Sequence, residues 1–363
     1  MPKNADAPTK EAARKNGGLR QEDIVHGADE LPCVRVESYN LEIRDGKGYI
    51  GDRASGRAFR ALLDKVQDEA GDMAEDALGD VRAAELKKKE WDRLLTEGDA
   101  DQAAIIHSAV EEFSQNLAAV VRRYLDHKSW KKVSRVVVGG GLRRSRVGEL
   151  AISRTEMILR GDGIEIDLTP LHHHPDAGGM IGCVQLLPRD AFEDYDSFIA
   201  VDIGGSNIRS GIVLLNRDRA KDFSAAKVAE WELWRHREDK PKRDEALDHL
   251  GGMLRLLVGH AEDRKLKLAP IIGIGCPGRI AEDGGIENGT QNLPGNWEAK
   301  GFHLPEAVRE RMPYVSGEKT RVILHNDAVV QGLSEVSRMR EAKHWGVLTI
   351  GTGLGNASFT TLE

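Results

Sequence analysis

The chain has 363 residues, 40% hydrophobic and 31% charged, with a net charge of −7. That apolar content supports a sizeable core and excludes a wholly disordered chain, and the length fits about two domains. No apolar run approaches the ~20 residues of a membrane-spanning helix, the N-terminus lacks the apolar stretch of a secretory signal, and the acidic balance makes the chain a poor candidate for sequence-independent nucleic-acid binding. Cys33, Cys183 and Cys276 are far apart in sequence, with no C-x-x-C, so neither a disulfide framework nor a thiolate zinc site is expected. A reducing, cytoplasmic setting fits this cysteine usage.

Residues 1–26 are polar and contain Gly17-Gly18, which reads as a mobile tail or surface arm. From Ala58 to about Leu95 the pattern is helical, with Phe59, Leu62, Leu63 and Val66 at helical spacing; Glu85 to Trp91 reads as a solvated helix face. Val110, Phe113, Leu117, Val121 and Tyr124 predict an amphipathic helix over 103–125. Val136-Val137-Val138 then predicts a buried strand, ending in Gly139-Gly140-Gly141 and followed by a helix around Ser145–Arg154. Further along, Phe198–Val201 and Gly211–Leu215 are two strands separated by Asp202-Ile-Gly-Gly-Ser-Asn-Ile-Arg209, a hairpin rather than a Rossmann or P-loop unit. A helix is expected at about Asp244–Asp263, and strands at Ala269–Ile274, Arg321–Leu324 and Gly346–Ile350. Alternating strands and helices with glycines at strand ends predict an α/β architecture.

Four segments carry chemistry. Asp202–Asn207 and Gly351-Thr-Gly-Leu-Gly355 each combine glycines with a hydroxyl after a strand; exposed backbone N–H groups in such turns bind phosphate oxygens, whereas either turn alone is also an ordinary tight hairpin. Asp202, beside the first turn, is a candidate for holding Mg²⁺ through water. Asp327, in His325-Asn-Asp-Ala328 between a strand and a helix, is either a helix cap or a general base for a substrate hydroxyl. Thr290–Trp297 offers amides and an aromatic ring, suited to a sugar or simply to a polar loop with a packed Trp. His172-His173-His174 reads as a surface cluster, because adjacent histidines cannot all converge on one ion.

Together these segments resemble the ROK family (repressors, open reading frames and sugar kinases) of the hexokinase superfamily. The family's D-x-G-G-T-x-x-R, G-x-G-x-P-G, N-L-P-G-W, N-D-A and G-T-G-x-G motifs stand here, in order, as Asp202–Arg209, Gly273–Gly278, Asn292–Trp297 with Asn296 inserted, Asn326–Ala328 and Gly351–Gly355. The rest of the family pattern lies before them: Val136–Gly141 is similar to its V-x-G-G-G adenosine turn, Pro175–Cys183 to its closing helix, and Gly46–Ala58 to the end of its zinc loop. The resemblance thus covers about residues 27–363 in the order second half, then first half, which is a circular permutation with residues 187–197 as the bridge.

The resemblance implies a circularly permuted two-lobe, actin-like (ribonuclease H-like) α/β fold. Residues 1–26 are the polar arm, 27–170 and 331–363 the large lobe, and 171–330 the small lobe. It implies a glucokinase-like, ATP- and Mg²⁺-dependent sugar kinase. Asp327 would be the catalytic base; Asn326, Asn292 and Glu30 would bind the sugar. Gly204, Gly205, Ser206, Asn207, Arg209, Gly351, Thr352, Gly353, Gly355 and Gly139-Gly140-Gly141 would bind ATP, with Asp202 supporting Mg²⁺ indirectly. The family's zinc ligands fall at Cys33, Glu42, Arg44 and Tyr49, so no structural zinc is expected. Partners are a small-molecule sugar and further copies of the chain, with no nucleic acid and no membrane. A non-catalytic sugar- or nucleotide-binding regulator of the same family is the alternative.

Overall fold

The computed structural model describes residues 20–362. Two five-stranded sheets organise it. The first combines β1 (Val34–Tyr39), β2 (Arg135–Gly139), β3 (Asp167–Pro170), β9 (His344–Ile350) and β10 (Leu354–Thr361) in the order β1-β10-β9-β2-β3. The second combines β4 (Ser197–Ile203), β5 (Ile208–Leu214), β6 (Lys227–Trp234), β7 (Leu268–Cys276) and β8 (Arg321–Asn326) in the order β8-β7-β4-β5-β6.

The pairing is the same in both. In the second sheet β4, β5 and β6 form an antiparallel meander, and β7 and then β8 add in parallel beside β4. In the first sheet β9 and β10 form the hairpin, β1 adds antiparallel to β10, and β2 and then β3 add in parallel beside β9. Each sheet therefore runs from the third strand of its meander through the second and first to two parallel strands. This is the two-lobe actin-like ATPase fold. In the second sheet the strands follow chain order; in the first they start at β9 and continue from the N-terminal part of the chain. Leu362 N–H donates to Cys33 O at 3.0 Å, so the end of β10 lies beside the start of β1.

Alternation along the strands divides the core into three. Val136 and Val138 face the outer helices of the large lobe, α1 (Gly56–Ala70), α2 (Lys88–Glu97), α3 (Ala100–Leu125) and α4 (Arg146–Gly161). Val137 faces inward, toward α5 (Pro175–Gly182) and α8 (Asp327–Leu333), which lie between the sheets. In the small lobe Phe198 and Ala200 face these same inner helices, while Ile199 and Val201 face α6 (Arg243–Asp263) and α7 (Leu304–Arg311). Strands buried on both faces read as continuous apolar runs, which is why they were legible in the sequence.

Three expectations differ. The helical stretch from Ala58 breaks after Ala70 at Gly71 (φ 52°), runs as a short helix over Asp72–Leu78 and resumes at Lys88. Glu85–Trp91 is not merely a solvated face: Trp91 is buried against Phe59, and its Nε1–H donates to Ala83 O at 2.7 Å. The N-terminal arm beyond Arg20 is packed rather than free, whereas residues 1–19 lie outside the described residues. Gln21 exchanges two hydrogen bonds with the backbone of Val322, and Gly27 N–H donates to Leu324 O at 3.0 Å, so this segment covers the open edge of β8.

Candidate active site

The lobes enclose a cleft of about 850 Å³. Its floor is the end of β4, β7 and β8. Asp202 pairs in register with Gly275 of β7, and Gly275 with His325 of β8, two residues before Asp327; a Cβ on Gly275 would stand 3.6 Å from the Asp327 Cα. Burial, and then the charge of Asp202, push the Asp327 carboxyl up to about 7. Asp202 is buried and also raised, by burial first, although Arg209 opposes the shift from 3.4 Å.

Asn326 resolves the ambiguity at the start of α8. Its Oδ1 accepts from Ala328 N and Val329 N, and its Nδ2 donates to Gly278 O at 2.9 Å. The cap is therefore Asn326; the carboxylate of Asp327 lines the cleft, with its Oδ1 also accepting from Ala328 N at 2.9 Å. The same bonds bury Asn326, and it is not among the residues that line the cleft.

Two hairpins form the walls. Gly204 N–H donates to Asn207 O at 2.8 Å and closes the first; His236 Nε2 contacts Gly204 O at 2.8 Å and holds it from behind. The second is the turn between β9 and β10, where Gly351 N–H donates to Gly353 O at 2.9 Å. It rests on the start of α1: Gly56 N–H donates to Gly351 O at 2.9 Å, and Arg57 Nε–H to Thr352 O at 3.0 Å. The hairpins meet across the cleft, with Ser206 Oγ and Thr352 Oγ1 3.0 Å apart. A Cβ on Gly355 would stand 3.3 Å from Ala328 Cβ, so the second hairpin also abuts the helix that begins at Asp327.

Gly204, Gly205, Ser206, Asn207, Arg209, Gly351, Thr352, Gly353, Gly355, Gly140, Gly141, Asn292, Asp202 and Asp327 all line this one cleft. Asn292 packs against the first hairpin, where a Cβ on Gly205 would come within 2.8 Å of its own Cβ. Gly140, at φ 86°, turns the chain so closely over β9 that a Cβ would collide with the Ile350 carbonyl. Gly139 stands apart, buried at the end of β2. Glu30 also stands apart: it is exposed, bridged to Arg35 in an isolated strand pair and ion-paired with it at 3.1 Å. Trp297 is fully buried with Nε1–H on Pro294 O, so its ring packs the small lobe and stacks on nothing in the cleft.

Sequence reasoning missed the charged lining. Asp176, at the start of α5, bridges Arg144 at 2.9 Å and Arg209 at 2.8 Å. Lys88, Arg60, Arg57 and Arg237 also line the cleft, as do Asn40, Glu42, Arg44 and Tyr49. Lys88 sits in a Lys-Lys-Lys run that resembles any solvated helix start, and only the fold turns it inward. Glu42 and Arg44 pair with each other at 3.0 Å, and the Tyr49 hydroxyl bonds Tyr124. Among the described residues no cluster of three or more His, Cys, Asp or Glu is placed to hold a metal ion, and no helix is long and apolar enough to cross a membrane.

No protein-family model and no curated protein matches the chain. Among solved structures it is similar to the Lmo2764 protein of Listeria monocytogenes, a candidate N-acetylmannosamine kinase, at 20% identity over 46% of this chain and 49% of that one, TM-score 0.32. It is also similar to the ROK hexokinase of Thermus thermophilus, at 18% identity over 46% and 48%, TM-score 0.30. An exopolyphosphatase of Cytophaga hutchinsonii matches at 15% identity over 46% and 52%, TM-score 0.26. The similarity spans about half the length of each of these proteins.

Proposed function

We propose that the chain is a circularly permuted ROK-type sugar kinase, transferring the terminal phosphoryl group of ATP to a sugar hydroxyl. The observation that carries this reading is Asp327: a carboxylate at the first residue of α8, raised to about 7, lining the same cleft as the two glycine hairpins that meet at Ser206 and Thr352. Asp327 accepts the proton of the acceptor hydroxyl as its oxygen attacks the terminal phosphorus, and ADP leaves. Backbone N–H groups of the Gly204–Asn207 and Gly351–Gly353 turns hold the phosphate oxygens. Asn292, against the first hairpin, orients the acceptor. Asp202 is the carboxylate that would hold Mg²⁺, through water; when bound, the ion neutralises phosphate charge. The strand order of the first sheet, which passes through the chain ends, supports the permutation.

The acceptor side departs from the family: Glu30 faces solvent, and Asn326 is spent on the α8 cap. These two observations favour the regulatory alternative. A coupled ADP-release screen across hexoses, N-acetyl amino sugars and polyols decides between them. Acceptor-dependent release is expected; tight sugar binding without release on any acceptor would favour the regulator.

A further inference from the structure

The cleft collects cations where the chain as a whole is acidic. Lys88, the first residue of α2, turns inward and donates from Nζ to Gly141 O at 2.6 Å, at the lip of the Gly140–Gly141 turn. Arg60, which holds the preceding loop by bonds to the carbonyls of Ala84 and Leu86, lies beside it, as do Arg144 and Arg209. Among the described residues the carboxylate whose charge acts on Lys88 is Asp176, already bridged to both Arg144 and Arg209. Among the described residues Lys88 therefore has no salt-bridge partner, and burial and the neighbouring guanidinium groups hold its ammonium below the ordinary lysine range. Gathering like charges in a half-buried wall is unfavourable unless an anion completes the set.

We propose that Lys88, with Arg144 beside it, is the subsite for the diphosphate portion of the phosphoryl donor, the part that becomes the leaving group. The wall and both hairpins line the same cleft, so a phosphate chain whose terminal group is held by the backbone N–H groups of the hairpins can extend onto Lys88. Its occupant is a diphosphate group, carried by a nucleotide or by inorganic pyrophosphate. The assignment of that group as the leaving part rests on the kinase reading; its binding does not.

The test is calorimetric titration of the full chain with ADP, inorganic pyrophosphate and adenosine, without turnover. Lys88→Met should weaken ADP and pyrophosphate by about 10- to 100-fold, the value of one charge-assisted hydrogen bond. Lys88→Arg should recover most of the loss, and adenosine should bind the Met variant as it binds the parent. Arg144→Met, at an exposed position, gives a smaller loss of the same kind and serves if Lys88→Met does not fold. Pyrophosphate binding as tightly as ADP identifies an inorganic donor; ADP binding far more tightly identifies a nucleotide; both uphold the subsite. Unchanged diphosphate affinity in Lys88→Met, or an equal loss of adenosine, would overturn it, the latter because Lys88 would then only brace the Gly141 turn. Diphosphate binding that depends on Lys88, in a protein that phosphorylates no acceptor, would sink the kinase reading and leave the subsite standing.

Discussion

At Asp327, function and stability oppose each other. Its folded value of about 7 lies above the ~3.9 of an unfolded carboxyl, so the native state holds the proton longer. Between those values stability falls as pH rises, because ionisation then costs more in the fold than outside it. Asp327→Asn removes that cost. Its thermal midpoint should exceed that of the parent by about 2–6 °C at pH 8, with the gap closing by pH 4. Turnover should fall by about 10²–10⁴, since an amide cannot take the proton. Parent turnover should itself rise with pH through about 7, as the base ionises. An active Asn variant, or one less stable at pH 8, would return Asp327 to a structural role. Asp327 stood out in the sequence as cap or base. What could not be read there was that Asn326, one residue earlier, would take the cap.

At the scale of elements, the site depends on α5 and α8 crossing closely between the sheets. Gly182 ends α5 against α8, where a Cβ would collide with the carbonyl oxygen of Val330. Gly182→Ala must push the two helices apart, and α8 carries Asp327 at its first turn. The expected cost is about 3 kcal/mol or more in denaturant melts, with weakened nucleotide binding in whatever still folds; a neutral substitution would mean that the helices are loosely packed. The helices and inner strands were legible because their apolar periodicity is strong. Strands β1 and β6 were not: they are edge strands with one polar face, and Val34 and Val36 alone mark the buried side of β1.

At the scale of the whole molecule, the segment from Gln21 to Glu30 ties β1 of the large lobe to the edge of β8 in the small lobe. Two buried histidines serve it. His26 Nδ1 accepts from Leu324 N at 3.2 Å, and His325 Nδ1 accepts from Asn326 N at 2.7 Å while its Nε2–H reaches Ala28 O at 3.1 Å. Burial holds both near 4, below the ordinary value of 6.5. A protonated Nδ1 would face an N–H donor, so stability contributed by these residues is present above 6.5 and lost as pH falls toward 4. His325→Gln should flatten the decline of the thermal midpoint between pH 6.5 and 4; an unchanged slope would remove the histidines from the account. The proposed permutation carries a separate prediction. Joining Glu363 to Met1 and opening the chain between Glu193 and Asp194, both exposed, breaks none of the ten strands. The reopened chain should fold and bind ADP as the parent does, because termini at exposed loops are interchangeable. Failure to fold would count against the proposed permutation.

Glycine turns, β-branched runs and one Asn-Asp pair were enough to read the α/β class, both hairpins and the candidate base from the chain alone, because each is set by local backbone chemistry. The pairing of β10 with β1, the burial of Asn326 and Trp297, the exposure of Glu30 and the inward turn of Lys88 depend on contacts between residues far apart in sequence. Lys88 and Gly141 are 53 positions apart, and β1 and β10 are separated by nearly the whole chain. Periodicity records which face of an element is apolar; which charged side chains then converge on a cleft is decided only when two lobes pack and bring opposite ends of the chain together.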